Sequence, residues 1–117
     1  VSLRFDIVTL FPEMFAAVTQ AGITRRALER GLWQCECWNP RQWAENSYGT
    51  VDDRPFGGGP GMVMQVAPLE KAIAAAKAAR GGGGKVIYLS PQGEPLTHGK
   101  VCELAAGEGA VLGRKSV

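Results

Sequence analysis

The sequence predicts an α/β fold, a parallel sheet flanked by helices, and three observations carry that expectation. Strand-like and helix-like patterns alternate along the 117 residues, the order that builds a parallel sheet. Residues 85–89 (KVIYL) are a short, largely apolar run ending in a Ser-Pro turn, as in a strand covered on both faces. The 16 glycines exceed the usual ~7% of residues, and they concentrate at 57–61 and 81–84, where they mark loops. A chain this long forms one domain, burying roughly two-thirds of its unfolded surface.

The elements follow in order. Leu3, Phe5 and Ile7 alternate with Arg4 and Asp6, and Val8, Thr9 and Leu10 continue as an apolar run, giving a first strand over 3–10. Pro12 and Glu13 suit a first helical turn, because proline lacks the amide that would be orphaned there and glutamate complements the dipole. Phe15 and Val18 share a face of that helix. Residues 23–30 read as a second short helix closed by Gly31. Trp33, Cys35 and Cys37 alternate with Gln34 and Glu36 in a second strand over 32–38. Residues 39–61 have little periodicity, and a stretch of that length is read as a functional loop. The clearest helix starts near Pro68. It stacks Leu69, Ile73 and Ala76 (or Ala72) on one side, has Lys77 and Arg80 in its last turn, and stops at Gly81. After the strand at 85–89, residues 98–106 read as a helix and 110–112 as a strand.

Composition narrows the function classes. With 45% apolar and 21% charged residues the chain is an ordinary globular one. A net charge of +2 is too small by itself to argue for nucleic acid, although Arg25, Arg26 and Arg30 cluster locally, as do Arg41 and Arg54; the plainer reading of the first three is a solvated helix face. Three cysteines without scaffold spacing, no apolar run near ~18 residues and no signal-peptide plan at the amino end predict a cytoplasmic chain with no membrane segment.

Familiar ligand motifs fail on inspection. Gly81-Gly82-Gly83-Gly84-Lys85 lacks the Ser/Thr of a P-loop and leads into a strand where that motif needs a helix. Neither Gly57/Gly59/Met62 nor Gly107/Gly109/Leu112 completes a dinucleotide fingerprint. Cys35, Cys37, His98 and Cys102 have ligand chemistry for zinc, yet no C-x-x-C knuckle supports it. Buried cysteine is common for packing alone, and no metal site is assigned. His98 is the single histidine and no serine sits in a nucleophile elbow, which disfavours a Ser-His-Asp hydrolase. Trp33, Trp38 and Trp43 have the chemistry to stack bases, with core packing the plainer reading for the first two.

Two loops remain. VDDRPFGGGPGM (51–62) sets two carboxylates and a guanidinium beside a nearly bare backbone that a flat ligand can approach closely. Asp52, Asp53 and Arg54 are its acid–base or hydrogen-bonding candidates, with turn formation as their alternative role. YLSPQG (88–93) is the carboxyl end of a buried strand turning sharply, and open α/β sheets bind ligands beyond the carboxyl ends of their strands.

These two loops, together with FDIVTLFPEMF at 5–15, closely resemble the bacterial tRNA (guanine-N1)-methyltransferases, and the likeness runs from about residue 3 to about residue 112. The resemblance implies a SPOUT-type (trefoil-knot) methyltransferase domain. It implies a homodimer that uses S-adenosylmethionine to methylate N1 of the guanine 3′ of the anticodon in tRNA. By position in the family's motifs, Tyr88, Leu89, Ser90, Pro91, Gln92, Gly93 and Gly113 bind the cofactor, and Asp52, Arg54, Pro60 and Gly61 lie on the substrate side. The family's strand before Gly-Arg-Tyr-Glu-Gly is about two residues longer than here, and Tyr-Glu-Gly is replaced by Lys115-Ser116-Val117. Residues 1–117 are therefore expected to be the amino-terminal part of a single domain, with the family's acid–base residues beyond it. The alternative is a module that binds an adenine-like ligand or RNA without chemistry.

Overall fold

Strand β1 (Leu3–Val8) forms the middle of the molecule because its β-branched and aromatic residues pack on both sides of a pleated backbone. The computed structural model describes residues 3–44, 52–53, 63–64, 66–82, 84–90 and 93–113. A 3-10 turn (Pro12–Phe15) leads into helix α1 (Ala16–Thr19) and then α2 (Gly22–Glu29). Strand β2 (Trp33–Trp38) follows, then a second 3-10 turn (Pro40–Trp43), the two-residue strands β3 (Asp52–Asp53) and β4 (Val63–Met64), and helix α3 (Val66–Ala79). Strand β5 (Lys85–Tyr88), helix α4 (His98–Ala106) and strand β6 (Gly109–Gly113) complete the described chain.

Four strands form one parallel sheet in the order β2-β1-β6-β5, and helices fill the crossovers, as parallel pairing requires. The expected fold class is therefore observed. β3 and β4 pair separately and antiparallel, Asp52 opposite Met64 and Asp53 opposite Val63.

The register places Asp6, Val8, Val86 and Val111 on one face of the sheet, and α3 covers that face. α3 is rich in alanine, the best helix former. Its buried stripe is Leu69, Ala72, Ile73 and Ala76, packed with Val8, Leu10 and Val111, while Trp38, Trp43 and Val86 lean on the cluster. The small Ala72 and Ala76, both fully buried, let the helix backbone come close to the strands. The opposite face carries Phe5, Ile7, Cys35 and Cys37, where Phe5 meets Trp33 edge-on, ring centroids 6.5 Å apart.

Local expectations shift in four places, the first being β5: expected to be covered on both faces, it stands at the edge of the described sheet with Lys85 and Tyr88 exposed and Val86 and Ile87 half-buried. β1 ends at Val8, two residues before the apolar run does: the Thr9 amide still donates across to Trp38 O (3.0 Å), but its Oγ1 accepts from the amide of Phe11 (3.1 Å) and turns the chain there. Leu10 is buried without being part of the strand. α3 begins at Val66, two residues before Pro68, because proline fits anywhere in the first turn. The first part of the 39–61 stretch is ordered as the Pro40–Trp43 turn, capped by Asn39 Oδ1, which accepts from the amide of Arg41 at 3.0 Å.

The strand alternation also hides a buried charge. Asp6 is 0% exposed and accepts from Arg4 Nε and Nη2 (3.1 Å), Trp38 Nε1 (2.9 Å) and Arg80 Nη1 (3.2 Å). Arg80 also donates to Glu108 O at 2.9 Å. Arg80 therefore ties the end of α3 to the sheet and is more than a complement to the helix dipole. Hydrogen bonds to Asp6, with the charges of Asp6 and Glu36, hold the Arg4 pKa above its ordinary value. Gly109 pairs with Arg4 beside this centre at φ +96°, and a Cβ there would lie 1.8 Å from Arg4 O, so only glycine fits.

Candidate cofactor site

Parallel pairing brings all four carboxyl ends of the sheet to one edge, and five of the expected cofactor residues meet there. Gly113 stands opposite Tyr88 in the β5–β6 register. Immediately beyond, the amide of Leu89 donates to Gly113 O at 2.7 Å, joining the exits of the two strands. The amide of Gly93 donates to Ser90 O at 3.1 Å, closing a tight turn. A Cβ on Gly93 would stand 3.3 Å from that same oxygen. Tyr88 is 44% and Leu89 54% exposed, whereas Gly113 is buried with Val8 Cβ 3.6 Å from where its own Cβ would be.

The turn leaves toward α4 under restraint. Thr97 Oγ1 caps the helix by accepting from the amide of Lys100 at 3.2 Å. The Lys100 ammonium pairs with Glu94, and this bond lowers the Glu94 carboxyl below its usual range. On the other side of β6, the exit of β1 reaches the same edge as the Thr9–Phe11 hydrogen bond, with Phe11 47% exposed. No motif marks residues 9–11 as part of this edge. The usable signal is the strand pattern breaking just before Pro12.

Of the substrate-side residues, Asp52 is among those described. Asp52 lies on β3, opposite Met64, so the β3–β4 pair brings the two ends of the 54–62 connection side by side. Arg54, Pro60 and Gly61 in that connection lie outside the described residues, as do Pro91 and Gln92 of the cofactor turn.

The alternatives raised by the sequence now have positions. Cys102 Sγ lies 3.5 Å from His98 Nε2 on α4, while Cys35 and Cys37 belong to β2. Among the described residues no group of three or more His, Cys, Asp and Glu gathers as for a metal ion. Burial first, then the neighbouring Cys37, pushes the Cys35 thiol up to about 11. Trp38 and Trp43, both half-buried, pack against the core cluster. Trp33 donates its indole N–H to Thr24 O at 2.8 Å. Lys85 begins β5 directly after Gly84, so the glycine run leads into a strand as expected.

Tyr88 and Leu89 leave apolar surface exposed at this edge. The family described as tRNA (Guanine-1)-methyltransferase TrmD matches residues 3–114. A tRNA (guanine-N(1)-)-methyltransferase from Dechloromonas aromatica is 66% identical over 115 residues, covering 94% of this chain and 45% of that protein. One from Stutzerimonas stutzeri is 58% identical over 110 residues, covering 94% and 44% respectively. A crystal structure of tRNA (m1G37) methyltransferase from Aquifex aeolicus superposes with a TM-score of 0.82 at 31% identity, covering 97% of this chain and 50% of that one. The chain thus spans about half the length of the relatives it matches, and its fold is of the SPOUT type. By the match over residues 3–114, the chain belongs to the tRNA (guanine-1)-methyltransferase family.

Proposed function

We propose that this chain supplies the amino-terminal part of a single SPOUT domain, in a cytoplasmic homodimeric enzyme that transfers a methyl group from S-adenosylmethionine to N1 of the guanine 3′ of the anticodon in tRNA. The observation that carries this reading is the joined exit of β5 and β6. The Leu89–Gly113 hydrogen bond and the closed turn ending at Gly93 stand side by side at the carboxyl edge of a parallel sheet.

The residues at that edge fit the cofactor. A thin turn, crowded by any Cβ on Gly93, offers backbone polar groups to the edge of an adenine, and Tyr88 and Leu89 offer apolar surface. Tyr88, Leu89, Ser90, Pro91, Gln92, Gly93 and Gly113 would hold the adenosine part. When bound, S-adenosylmethionine supplies an electrophilic methyl group on a sulfonium. Asp52, Arg54, Pro60 and Gly61 would border the target base, where a backbone poor in side chains lets a base edge come close. Guanine N1 loses a proton as it accepts a methyl group, so the site needs a carboxylate acceptor and a cation near O6. That pair is assigned to the part of the relatives' length that this chain does not span. The remaining strands of the family's trefoil knot are assigned to the same part.

The test uses the complete enzyme, labelled methyl donor and unmodified tRNA. Incorporation at N1 of the guanine 3′ of the anticodon is expected, and Gly61→Val is expected to lower turnover more than it lowers thermal stability. Methylation elsewhere would overturn the substrate assignment. Cofactor binding without any incorporation would leave the non-catalytic binding module as the function.

A further inference from the structure

Helix α2 holds three arginines and one glutamate, Arg25, Arg26, Arg30 at its C-cap and Glu29, a local excess equal to the net +2 of the entire chain. The excess is uneven within the helix. Arg25 Nε is held by Glu29 Oε1 at 2.9 Å, whereas among the described residues Arg26 and Arg30 form no ion pair. Both are exposed. They stand i and i+4, the spacing at which like charges on a helix repel. The dipole at the carboxyl end offsets part of that repulsion, and an anion held between the two guanidinium groups would remove the rest.

The surroundings of this pair are shaped and partly apolar. Ile23 shares the stripe of Arg26 and Arg30 through its i, i+3, i+7 spacing and is 77% exposed, and Leu32 just beyond the helix is also exposed. Gly22, Ile23, Arg25, Arg26 and Glu29 line a surface concavity of about 480 Å³. No acidic side chain lies in the first turn.

We propose that the Arg26–Arg30 face of α2 binds the phosphate backbone of the RNA substrate, away from the base that receives the methyl group. The inference rests on the tRNA reading above and adds to it a second RNA-binding surface on this chain. Arginine's planar fork suits phosphate oxygens better than a point charge does, and exposed Ile23 suits the sugar between phosphates. A second copy of the chain docked across a two-fold axis would set these cations against themselves, so RNA is the occupant favoured.

The test is tRNA binding by the complete enzyme over a series of salt concentrations, with Arg26→Ala/Arg30→Ala compared with wild type and with Arg25→Ala. Removing one arginine–phosphate pairing flattens the dependence of log Kd on log salt by up to about one unit. The double variant is expected to flatten it by roughly 1.5–2 units and to weaken binding on the order of 10-fold at low salt. Arg25→Ala should change the slope less, and S-adenosylmethionine affinity should be unchanged in both. If wild type binds tRNA and the double variant keeps its slope, this surface assignment is overturned while the tRNA reading stands. Wild type that binds no tRNA overturns both. An unchanged slope with an altered sedimentation coefficient would assign the face to association between copies, which also overturns the proposal.

Discussion

The two halves of one short path through β1 behave in opposite ways. At Asp6 the chain is sealed, and its carboxylate accepts from two arginines and an indole with no exposure to solvent. Five residues later Phe11 is exposed, beyond the point where the strand stops. The same contrast recurs across the sheet. The α3-covered face is filled by Val8, Val111, Leu69 and Ile73, while the carboxyl edge leaves Tyr88 and Leu89 uncovered. Burial and solvent exposure are thus separated along single strands: buried side chains on one face fix the register, and the register delivers the exits of β5 and β6 to one place.

Removing the sealed charge should have the largest effect. Asp6→Asn leaves the nearly buried Arg80 side chain, 4% exposed, without its carboxylate, and breaking one side of a buried pair costs about 3–5 kcal/mol. Denaturant midpoints of the complete protein should fall accordingly, and pairing the change with Arg80→Met should recover part of the loss. A cost under about 1 kcal/mol would mean that Asp6 is hydrated in solution.

Gly109→Ala should come next. It combines a strained φ of +96° with a Cβ placed on Arg4 O, for a loss of at least about 3 kcal/mol through separation of β1 and β6. Thermal unfolding reads this, and an unchanged Tm would show that the two strands slip apart at no cost.

At the open edge the expectation reverses. Gly93→Val should lower S-adenosylmethionine affinity by about 10-fold, equivalent to about 1.4 kcal/mol, while Tm moves little, because Ser90 O has only to yield slightly. Calorimetry giving an unchanged affinity would remove the turn from the cofactor site.

The smallest effect is a dependence on alkaline pH. The Cys35 thiol is raised from 9.0 to about 11, chiefly by burial, so the folded state holds this proton more tightly than the unfolded chain. The associated stability is fully present below pH 9.0 and is lost as pH rises toward 11. Midpoints measured across that window should decline in wild type and decline less in Cys35→Ser. Exposed Cys102 should be alkylated well before Cys35.

Much of the architecture was legible because periodicity and punctuation agree. Leu69, Ile73 and the alanines between them mark the α3 stripe, and β5 announces itself as an apolar run between glycine and proline turns. Asp6 was not legible, since alternation with Leu3, Phe5 and Ile7 makes it look like a solvent-facing position. Beside Arg4, two residues away, its partners Trp38 and Arg80 lie 32 and 74 residues away, and no local pattern encodes a pairing at that distance. The turn from Ser90 to Gly93 was legible as a motif and as a strand exit. The proximity of Gly113 to Leu89 came only with the sheet order, in which the last strand enters between the first and the fifth.

That strand order also sets a timetable for synthesis. β1 leaves the ribosome before the other described strands, yet one of its two neighbours is β6, at residues 109–113. At usual elongation rates the intervening hundred-odd residues take roughly 5–20 s to make. Through that interval the nascent chain has β2 to pair with, but the other edge of β1 is bare, with Val8 waiting for Val111 to share its core. A chaperone that shields a naked strand edge would have its longest task on Leu3–Val8.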